Sequence, residues 1–227
     1  TTTPRGRLRI SVGQTFGARQ LSALFPRFQA MYPEVELEVF ATDRRVDLIE
    51  EGFDLAVRMS LELPPTYVAR HLCVIRVIVC ASPAYLKKHG TPKAPQELAA
   101  HNCLTVTSGG FENRWLFDGP DGRQTVQVHG NYRSDSGDLL RAAALAGQGI
   151  VYLPTFIVGE ELARGELVPI LRDWKTAGIG RGVKWLGTDG LKDDNFANTV
   201  GRDVPDFMGT APIPNGPHYD VFVQRYQ

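Results

Sequence analysis

The chain has 227 residues, of which 43% are hydrophobic and 22% are charged. This composition is typical of a folded, water-soluble protein and excludes a disordered or collagen-like chain; the length allows either one large α/β domain or two small lobes. Because 25 basic and 25 acidic side chains cancel, the chain lacks the positive field that a protein needs to hold DNA by itself.

The cysteines and the amino-terminal residues favour a cytoplasmic protein. Cys73, Cys80 and Cys103 form no CxxC pair, and an odd number fits reduced thiols better than a disulfide framework. We expect buried apolar side chains here rather than metal or redox groups. The amino-terminal residues lack a signal-peptide segment, and no run approaches the roughly 18 apolar residues of a membrane span. A secreted protein whose signal peptide has been removed would also lack that segment. We therefore state a cytoplasmic location, without membrane contact, as an expectation.

Strands and helices alternate in the first part of the sequence. Apolar residues recur with a period of two in the strands and at helical spacing in the helices. The segments are predicted as a strand at 8–12, a helix at 21–31 with a kink or a restart at Pro26, a strand at 35–39, a short helix at 46–51 that Gly52 ends, and a strand at 53–59. This order predicts a parallel sheet with helices on its faces.

The middle of the chain continues the alternation and adds a β-hairpin. Ser82 caps a helix that Gly90 ends. Asp135 or Ser136 caps the most strongly patterned helix, which ends at Gly147. The other predicted elements are strands at 74–81, 104–107, 150–153, 167–171 and 183–186, a hairpin at 115–128, and helices at 96–100, 156–163, 193–200 and 219–226.

Sequence signatures of catalysis are absent. The chain contains no GxSxG, Walker A or HExxH motif. Gly147 and Gly149 follow a helix and precede a strand, which is the reverse of the order in a dinucleotide-binding loop. The histidines lack the spacing of metal ligands: His71, His89, His101, His129 and His218. We therefore predict no catalytic residue, no metal ligand and no cofactor, in a protein that is not an enzyme.

Small polar residues recur between strand ends and helix starts. They are Gln14 and Thr15 after the first strand, Thr42 after the second, Thr107 and Ser108 after the strand at 104–107, and Ser134 and Ser136 before the long helix. In open α/β sheets the loops at the carboxyl ends of strands face the ligand, and N–H groups at helix starts favour an anion. Each residue alone could serve as a helix N-cap, but several of them together favour a binding pocket.

One arginine and three aromatic residues complete the candidate site. Arg58, at the end of the third strand, is the best candidate for a positive charge that binds a carboxylate; an ion pair with Asp54 or Glu62 is the alternative. The candidates for an apolar wall, with core packing as the alternative for each, are Phe16, Trp115 and Phe156. Hydroxyl groups, a glutamine and an arginine predict a small carboxylate or an aromatic acid as the ligand.

Longer motifs follow one another in a recognisable order along residues 5–175. They include Arg7-Leu-Arg-Ile-Ser-Val-Gly13, Leu24-Phe-Pro-Arg-Phe28, Asp47-Leu-Ile-Glu-Glu-Gly-Phe-Asp-Leu-Ala-Val-Arg58, Cys80-Ala-Ser-Pro-Ala-Tyr-Leu86, His101-Asn-Cys-Leu104, Ala143-Ala-Leu-Ala-Gly-Gln-Gly-Ile-Val-Tyr-Leu-Pro154 and Gly165-Glu-Leu-Val-Pro169. Together these segments closely resemble the effector-binding domain of LysR-type transcriptional regulators.

That resemblance implies an α/β fold of two Rossmann-like subdomains joined by crossover strands, similar to type II periplasmic binding proteins, with a small-molecule effector in the interlobe cleft. Residues 1–78, with part of 178–227, would form the first subdomain and residues 79–177 the second. The effector contacts that the resemblance implies in the first subdomain are Gln14, Thr15, Thr42 and Arg58. In the second subdomain the implied contacts lie near Thr107, Ser136 and Phe156. The resemblance also implies a homodimer, with DNA bound only through an amino-terminal helix-turn-helix that these residues do not contain.

The resemblance ends near residue 175. The family continues after Asp173-Trp174 with a strand and a helix that return to the first subdomain, whereas this chain continues with segments such as Lys184-Trp-Leu-Gly-Thr-Asp-Gly190 and Gly209-Thr-Ala-Pro-Ile-Pro214. The tail, about 183–227, resembles the carboxyl-terminal part of branched-chain-amino-acid-type periplasmic binding proteins. We therefore hypothesise a chimera joined near residues 176–183, whose tail does not occupy the usual edge of the first subdomain. A solute-binding protein or an engineered ligand-binding module is the alternative function.

Overall fold

A computed structural model describes residues 4–59, 68–73, 75–107, 112–119, 122–172, 174–176 and 183–187. The described residues form two units, one containing residues 4–59, 68–73 and 183–187 and the other containing those from 75 to 176. Ser108, Glu62 and the predicted helices at 193–200 and 219–226 lie outside the described residues.

The elements follow one another in this order along the chain. The first are β1 (Gly6–Val12), the short helix α1 (Gln14–Phe16), a π-helical turn (Gly17–Leu21), α2 (Leu24–Met31), β2 (Val35–Ala41), β3 (Leu55–Met59), β4 (Val68–Cys73), β5 (Val77–Ala81), α3 (Pro83–His89), a 3₁₀-helix (Pro95–Ala100) and β6 (Cys103–Val106). The others are β7 (Arg114–Gly119), β8 (Gly122–Gln127), β9 (Arg133–Ser134), α4 (Gly137–Leu145), β10 (Ile150–Pro154), α5 (Thr155–Ala163), β11 (Val168–Pro169), β12 (Lys175–Thr176) and β13 (Val183–Gly187). The sequence analysis does not predict β4, β9 and β12.

The first unit is built on a five-stranded sheet of order β2-β1-β3-β13-β4. Strands β2 and β3 both run parallel to β1, which confirms the parallel arrangement predicted for these three strands. Ile10 and Val12 are buried on one face of β1 and Ser11 on the other, as expected for a parallel strand with both faces covered.

Helix α2 and the edge strand β2 expose apolar side chains. None of the residues of α2 is buried, and Met31 is 48% exposed. On β2, Val39 and Phe40 are also exposed. The helical spacing of residues 21–31 therefore predicts the helix correctly, but it does not predict how little of its apolar face is covered within the described residues.

The second unit contains a five-stranded sheet of order β11-β5-β10-β6-β9 and a three-stranded sheet of order β12-β7-β8. Strand β6 is parallel to both β10 and β9, whereas β5 is antiparallel to β10. The predicted hairpin is confirmed: β7 and β8 are antiparallel, and their last pair joins Gly119 to Gly122.

Strand β10 lies at the centre of the second unit. Ile150 and Tyr152 belong to one apolar cluster, and Val151 and Leu153 belong to another. All four side chains are buried, so each face of the strand contributes to its own core layer. This double burial explains why the sequence of β10 is a continuous apolar run rather than an alternating one.

Two of the predicted helix ends are confirmed in detail. The Ser82 hydroxyl accepts a hydrogen bond from the Tyr85 N–H at 3.4 Å, which caps α3. Gly147 follows α4 with φ +75°, a conformation that favours glycine. A Cβ atom at Gly149 would lie only 2.4 Å from the carbonyl oxygen of Asn102. The Gly147 and Gly149 pair therefore serves a helix end and a close backbone contact.

The helix predicted at 46–51 is wrong, because these residues form turns. Asp47 Oδ1 accepts hydrogen bonds from the N–H groups of Ile49 at 2.9 Å and of Glu50 at 3.0 Å. This is the bonding of a helix N-cap, and the Glu51 N–H donates to the Asp47 carbonyl at 3.0 Å, so the segment forms a single capped turn rather than a helix. Gly52 ends the segment with φ +67°, as its position predicts.

Residues 183–187 return to the first unit as β13. This strand lies between β3 and β4 and is antiparallel to both. Part of the segment 178–227 thus joins the first unit, in line with the predicted subdomain composition, and β13 lies inside the sheet rather than at its edge. Residues 188–227 lie outside the described ranges, and their resemblance to another protein family stays a prediction.

Burial makes two of the three thiols unreactive. Cys80 and Cys103 are buried and Cys73 is partly exposed, and all three are free cysteines. Burial raises the pKa of the Cys80 and Cys103 thiols to about 12, so both stay protonated near neutral pH. Across the described ranges, no three His, Cys, Asp or Glu side chains come together as a metal site. No helix in these ranges is long and apolar enough to cross a bilayer.

Tyr85, His89 and His101 form an aromatic cluster beside α3. The Tyr85 hydroxyl accepts the N–H of Asn102 at 2.9 Å and lies 3.3 Å from Nδ1 of His101, while the His89 ring stacks on Tyr85 with centroids 4.6 Å apart. Since the hydroxyl oxygen already accepts one bond, its own proton is available for Nδ1, and that bond requires a neutral imidazole. Burial, followed by the charge of His89, lowers the pKa of His101, and Glu97 opposes the shift.

We expect the second unit to lose stability as the pH falls below 6.5. The unfolded chain protonates His101 with the ordinary pKa of 6.5, whereas the folded chain binds that proton less readily. The contribution of His101 is therefore fully present above pH 6.5 and is lost as the pH falls through the lowered pKa. Urea unfolding on both sides of this pH measures the effect, which His101→Gln should reduce. The exposed His129 gives the control, His129→Gln, and an equal pH dependence in both variants would contradict the expectation.

Candidate functional site

The carboxyl ends of the three parallel strands of the first unit lie side by side. In their register, Val12 of β1 lies opposite Ala41 of β2 and Val57 of β3, and the Thr42 N–H donates to the Val12 carbonyl at 2.8 Å. The residues that directly follow Ala41, Val12 and Val57 in the chain form one row at this edge of the sheet. This row, called here the strand-end row, consists of Thr42, Gly13 and Arg58. Two of the side chains predicted to bind a ligand are thus brought to the same edge of the sheet.

Arg58 is held in place by oxygen atoms that carry no charge. Its Nη2 donates to the Ser11 hydroxyl at 2.6 Å and to the Arg44 carbonyl at 3.5 Å, and its Nη1 donates to the Val57 carbonyl at 3.0 Å. Within the described ranges, none of the acceptors of Arg58 is a carboxylate. Burial lowers the pKa of this guanidinium, and the charge of Asp43 partly opposes the shift. The environment therefore leaves the positive charge desolvated and open to an anion.

The sequence analysis offered an ion pair with Asp54 or with Glu62 as the alternative role of Arg58, and the structure describes only the first of these two residues. Asp54 Oδ2 accepts the N–H of Arg9 at 2.8 Å, so it supports the neighbouring strand rather than accepting from the Arg58 guanidinium. Glu62 lies outside the described residues. The sequence analysis did not select Ser11 or Asp43; their signals were a polar residue inside a buried strand and an acidic residue directly after a strand end.

Helix α1 begins at the strand-end row, and the Asp43 carboxylate accepts a hydrogen bond from the first N–H group of this helix. The Gln14 N–H donates to Asp43 Oδ1 at 3.1 Å. The Gln14 side chain is exposed, whereas Thr15 and Phe16 are buried. Of the three residues predicted at this position, Gln14 is thus the one whose side chain is open to a ligand, and Phe16 takes its alternative place in the core.

Thr42 is half-buried, and its hydroxyl oxygen accepts the Arg44 N–H at 3.2 Å. This bond forms a local turn after β2. A threonine hydroxyl that accepts one hydrogen bond can still donate its own proton. Thr42 can therefore hold the loop and donate to a bound anion at the same time.

In the second unit the predicted hydroxyls also meet at the carboxyl ends of parallel strands. Val106 of β6 lies opposite Ser134 of β9, and the Thr107 N–H donates to the Ser134 carbonyl at 3.0 Å. The Ser134 hydroxyl accepts the Ser136 N–H at 3.0 Å. Ser136 precedes α4, but its side chain makes no capping bond within the described ranges. Its hydroxyl is therefore not consumed by the alternative role of N-cap.

The aromatic candidates of the second unit differ in exposure. Phe156, in the first turn of α5, is half-buried and packs against the cluster that includes Leu140. Trp115 is 1% exposed and stacks on Tyr152, with the ring centroids 5.3 Å apart. Trp115 thus takes the alternative place in the core, whereas Phe156 remains available beside the strand ends.

Comparison with known proteins identifies the family. Residues 1–183 match the family model described as the LysR substrate binding domain. A probable HTH-type transcriptional regulator LtrA from Klebsiella pneumoniae is 34% identical over 185 residues, which cover 82% of this chain and 60% of that protein. The HTH-type transcriptional regulator CrgA from Neisseria meningitidis serogroup C is 36% identical over 172 residues, which cover 75% of this chain and 56% of that protein. The chain thus spans about three fifths of the length of these relatives.

Solved structures agree with the sequence comparison. The regulatory domain of CrgA from N. meningitidis superposes with a TM-score of 0.74 at 30% identity, covering 87% of this chain and 96% of that domain. The regulatory domain of AphB from Vibrio vulnificus gives a TM-score of 0.72 at 25% identity, covering 86% of this chain and 98% of that domain.

These comparisons confirm the α/β fold of the type II periplasmic-binding-protein kind that the sequence motifs imply. They also favour a regulator over the alternative of a solute-binding protein. The family match covers the strand ends of both units, where the candidate residues lie. The chain belongs to the LysR substrate-binding domain family and is the effector-binding domain of a LysR-type transcriptional regulator.

Proposed function

We propose that this domain senses a small carboxylate through the strand-end row of the first unit, with Arg58 as the group that binds the carboxylate. Gln14 and Thr42 would donate further hydrogen bonds. In the second unit, the hydroxyls of Thr107 and Ser136 and the ring of Phe156 are the proposed effector contacts at its own strand ends. Thr15, Phe16 and Ser108 were predicted with them, but the burial of the first two gives them a supporting role.

The observation that carries this proposal is the desolvated guanidinium of Arg58. A buried cation is costly unless a counter-charge or a full set of hydrogen bonds compensates it. Arg58 is surrounded by carbonyl and hydroxyl oxygens, and a planar carboxylate would bind its remaining donors in the geometry that arginine favours. Asp43 offsets the desolvation of Arg58 only in part, so a bound carboxylate would gain affinity by supplying the remaining counter-charge.

We further propose that the domain acts in a longer transcriptional regulator that binds DNA through a separate helix-turn-helix segment. The curated relatives carry HTH-type names, and this chain spans about three fifths of their length. Balanced charge supports a sensing role for this part, since DNA binding by itself calls for a basic surface. Binding without chemical turnover and a cytoplasmic location follow from this assignment.

A homodimer is part of the same proposal. Helix α2 has no buried residue and exposes Met31, and β2 is an edge strand with exposed Val39. Apolar side chains of this kind support association with a second copy, because burying them removes apolar surface from water. The oligomeric state stays a prediction.

We expect at least one acid in a panel of short aliphatic mono- and dicarboxylic acids to raise the melting temperature of the chain, and Arg58→Ala to abolish that shift. A ligand at a concentration about 100-fold above its Kd stabilises the folded state by about 2.7 kcal/mol, which thermal-shift measurements detect. Arg45→Ala removes a neighbouring exposed arginine and is the matched control. The site assignment is refuted if no acid stabilises the wild-type chain, or if Arg58→Ala responds as the wild type does.

A further inference from the structure

A recess lies in the first unit, beside the strand-end row. Its volume is about 380 Å³, within the range of about 300–1,000 Å³ that small-molecule sites occupy. The residues that line it include Arg9, Phe40, Thr42, Arg44, Glu51 and Phe53. Arg58 does not line it, so this recess, called here the Phe40 pocket, is separate from the charge proposed to bind the effector.

Arg9 and two aromatic rings form one side of the Phe40 pocket. The Arg9 guanidinium carbon lies 5.1 Å from the ring centroid of Phe40 and 5.2 Å from that of Phe53. Its Nε donates to Glu38 at 2.9 Å, and its Nη1 donates to the carbonyl of Glu51 at 2.9 Å. Within the described part of the chain, no acceptor is found for its other terminal nitrogen, Nη2. One arginine donor therefore remains for a ligand.

The other side of the pocket carries an ion pair that a ligand can reach. Arg44 is paired with Glu51 at 2.5 Å, and the Arg44 side chain is 63% exposed. Hydrogen bonding to Glu51 raises the pKa of Arg44, and hydrogen bonding to Arg44 lowers the pKa of Glu51, so both are charged at neutral pH. The lining thus contains two guanidinium groups and one carboxylate, and because Glu38 also pairs with Arg9, both cations already have a carboxylate partner. The unused Nη2 of Arg9 and the exposed side chain of Arg44 are the groups left to meet an anion.

Phe40 supplies the apolar surface of the pocket. The residue is 40% exposed, and its ring meets the buried Phe53 ring edge to face, with centroids 5.2 Å apart. An exposed ring next to guanidinium groups favours a flat, aromatic ligand, because such a ligand can contact the ring and stack on the cations. The unused Arg9 Nη2 donor and the exposed Arg44 guanidinium favour a carboxylate on that ligand, because guanidinium donors match carboxylate oxygens well.

We propose that the Phe40 pocket is a second ligand site, which binds a small aromatic carboxylate. The aromatic body lies against Phe40, and the carboxylate accepts hydrogen bonds from Arg9 Nη2 and from Arg44, in competition with Glu51. The site shares Thr42 with the strand-end row but contains neither Arg58 nor Gln14, the other two side chains proposed there to bind the effector. Thr42 and Arg44 line the pocket, and the Arg44 carbonyl accepts a hydrogen bond from Arg58. The two proposed ligand sites are therefore neighbours on the loop that follows β2.

Calorimetric titration of the 227-residue chain with benzoate tests the proposal. We expect wild-type binding, and binding weaker by about tenfold or more in both Phe40→Ala and Arg44→Ala. Acetate, which lacks the ring, and benzyl alcohol, which lacks the charge, should each bind more weakly than benzoate. Circular dichroism confirms that the two variants fold; both side chains lie at the surface, so folding should persist.

Two further variants separate this site from the strand-end row. Arg45→Ala removes an exposed arginine that does not line the pocket, and Arg58→Ala removes the charge proposed for the effector. Both should bind benzoate as the wild type does. The proposal is overturned if wild-type chain does not bind benzoate, if Phe40→Ala keeps wild-type affinity, or if Arg58→Ala abolishes binding. The last outcome would move benzoate to the strand-end row and leave the proposed effector site intact.

Discussion

Replacing Trp115 with alanine is expected to lower the free energy of unfolding of the second unit by about 3–5 kcal/mol. The side chain is 1% exposed and packs in the same cluster as Phe117, Tyr152 and Ile150. Removing the indole forfeits its transfer free energy and leaves a cavity under a β-hairpin that cannot collapse fully. Urea unfolding followed by circular dichroism measures the change.

Two comparisons make the Trp115 expectation specific. Trp115→Phe keeps a ring in the cluster and should cost clearly less, because a smaller cavity remains. Leu139→Ala, on α4, removes an apolar side chain that is mostly exposed and should change stability little. A destabilisation by Trp115→Ala no larger than that of Leu139→Ala would contradict the core assignment and would return Trp115 to the list of ligand-contacting candidates.

Replacing Glu161 with alanine should lower the free energy of unfolding by about 3 kcal/mol, the lower part of the range for breaking a buried ion pair. Glu161 on α5 binds Arg141 on α4, and their side chains are 3% and 23% exposed. The variant leaves the Arg141 charge largely buried and without its closest partner. The partial exposure of Arg141 lets water compensate some of the loss, so we expect the lower end of the range.

A neighbouring pair provides the control for Glu161. Glu160 is exposed and pairs with Arg164 one helical turn away, so Glu160→Ala should change stability by less than about 1 kcal/mol. The double variant Glu161→Leu with Arg141→Met removes both charges and should recover most of the loss. The ion-pair account fails if urea unfolding gives the same result for Glu161→Ala and Glu160→Ala.

Much of the fold could be predicted because its signals are local. The period-two alternation of residues 35–39, the apolar run of β10 and the Ser82 cap each depend on near neighbours in sequence. The segment at 46–51 forms only one turn, capped by Asp47, because Gly52 turns the chain away directly afterwards, and apolar spacing does not register how few residues are left for a helix. The strand β4 and the low burial of α2 were missed for a related reason: their surroundings come from distant parts of the chain.

The candidate site was predictable only to the level of strand ends. Parallel strands end at one edge of a sheet, so Thr42 and Arg58 could be expected to lie near each other without a structure. The partners that define their chemistry could not be expected. Ser11 lies 47 positions before Arg58 in sequence and Asp43 lies 29 positions after Gln14, and no local pattern links such pairs.

The sequence by itself therefore determined the family, the alternation of strands and helices, and the edges at which small polar residues gather. Only the tertiary structure decided which of those residues are open to a ligand, that Arg58 is held by uncharged oxygens, and that β13 enters the first sheet between β3 and β4. The physical reason is that hydrophobic periodicity, caps and turns are read within a few residues, whereas burial and charge compensation depend on contacts between segments far apart in the chain.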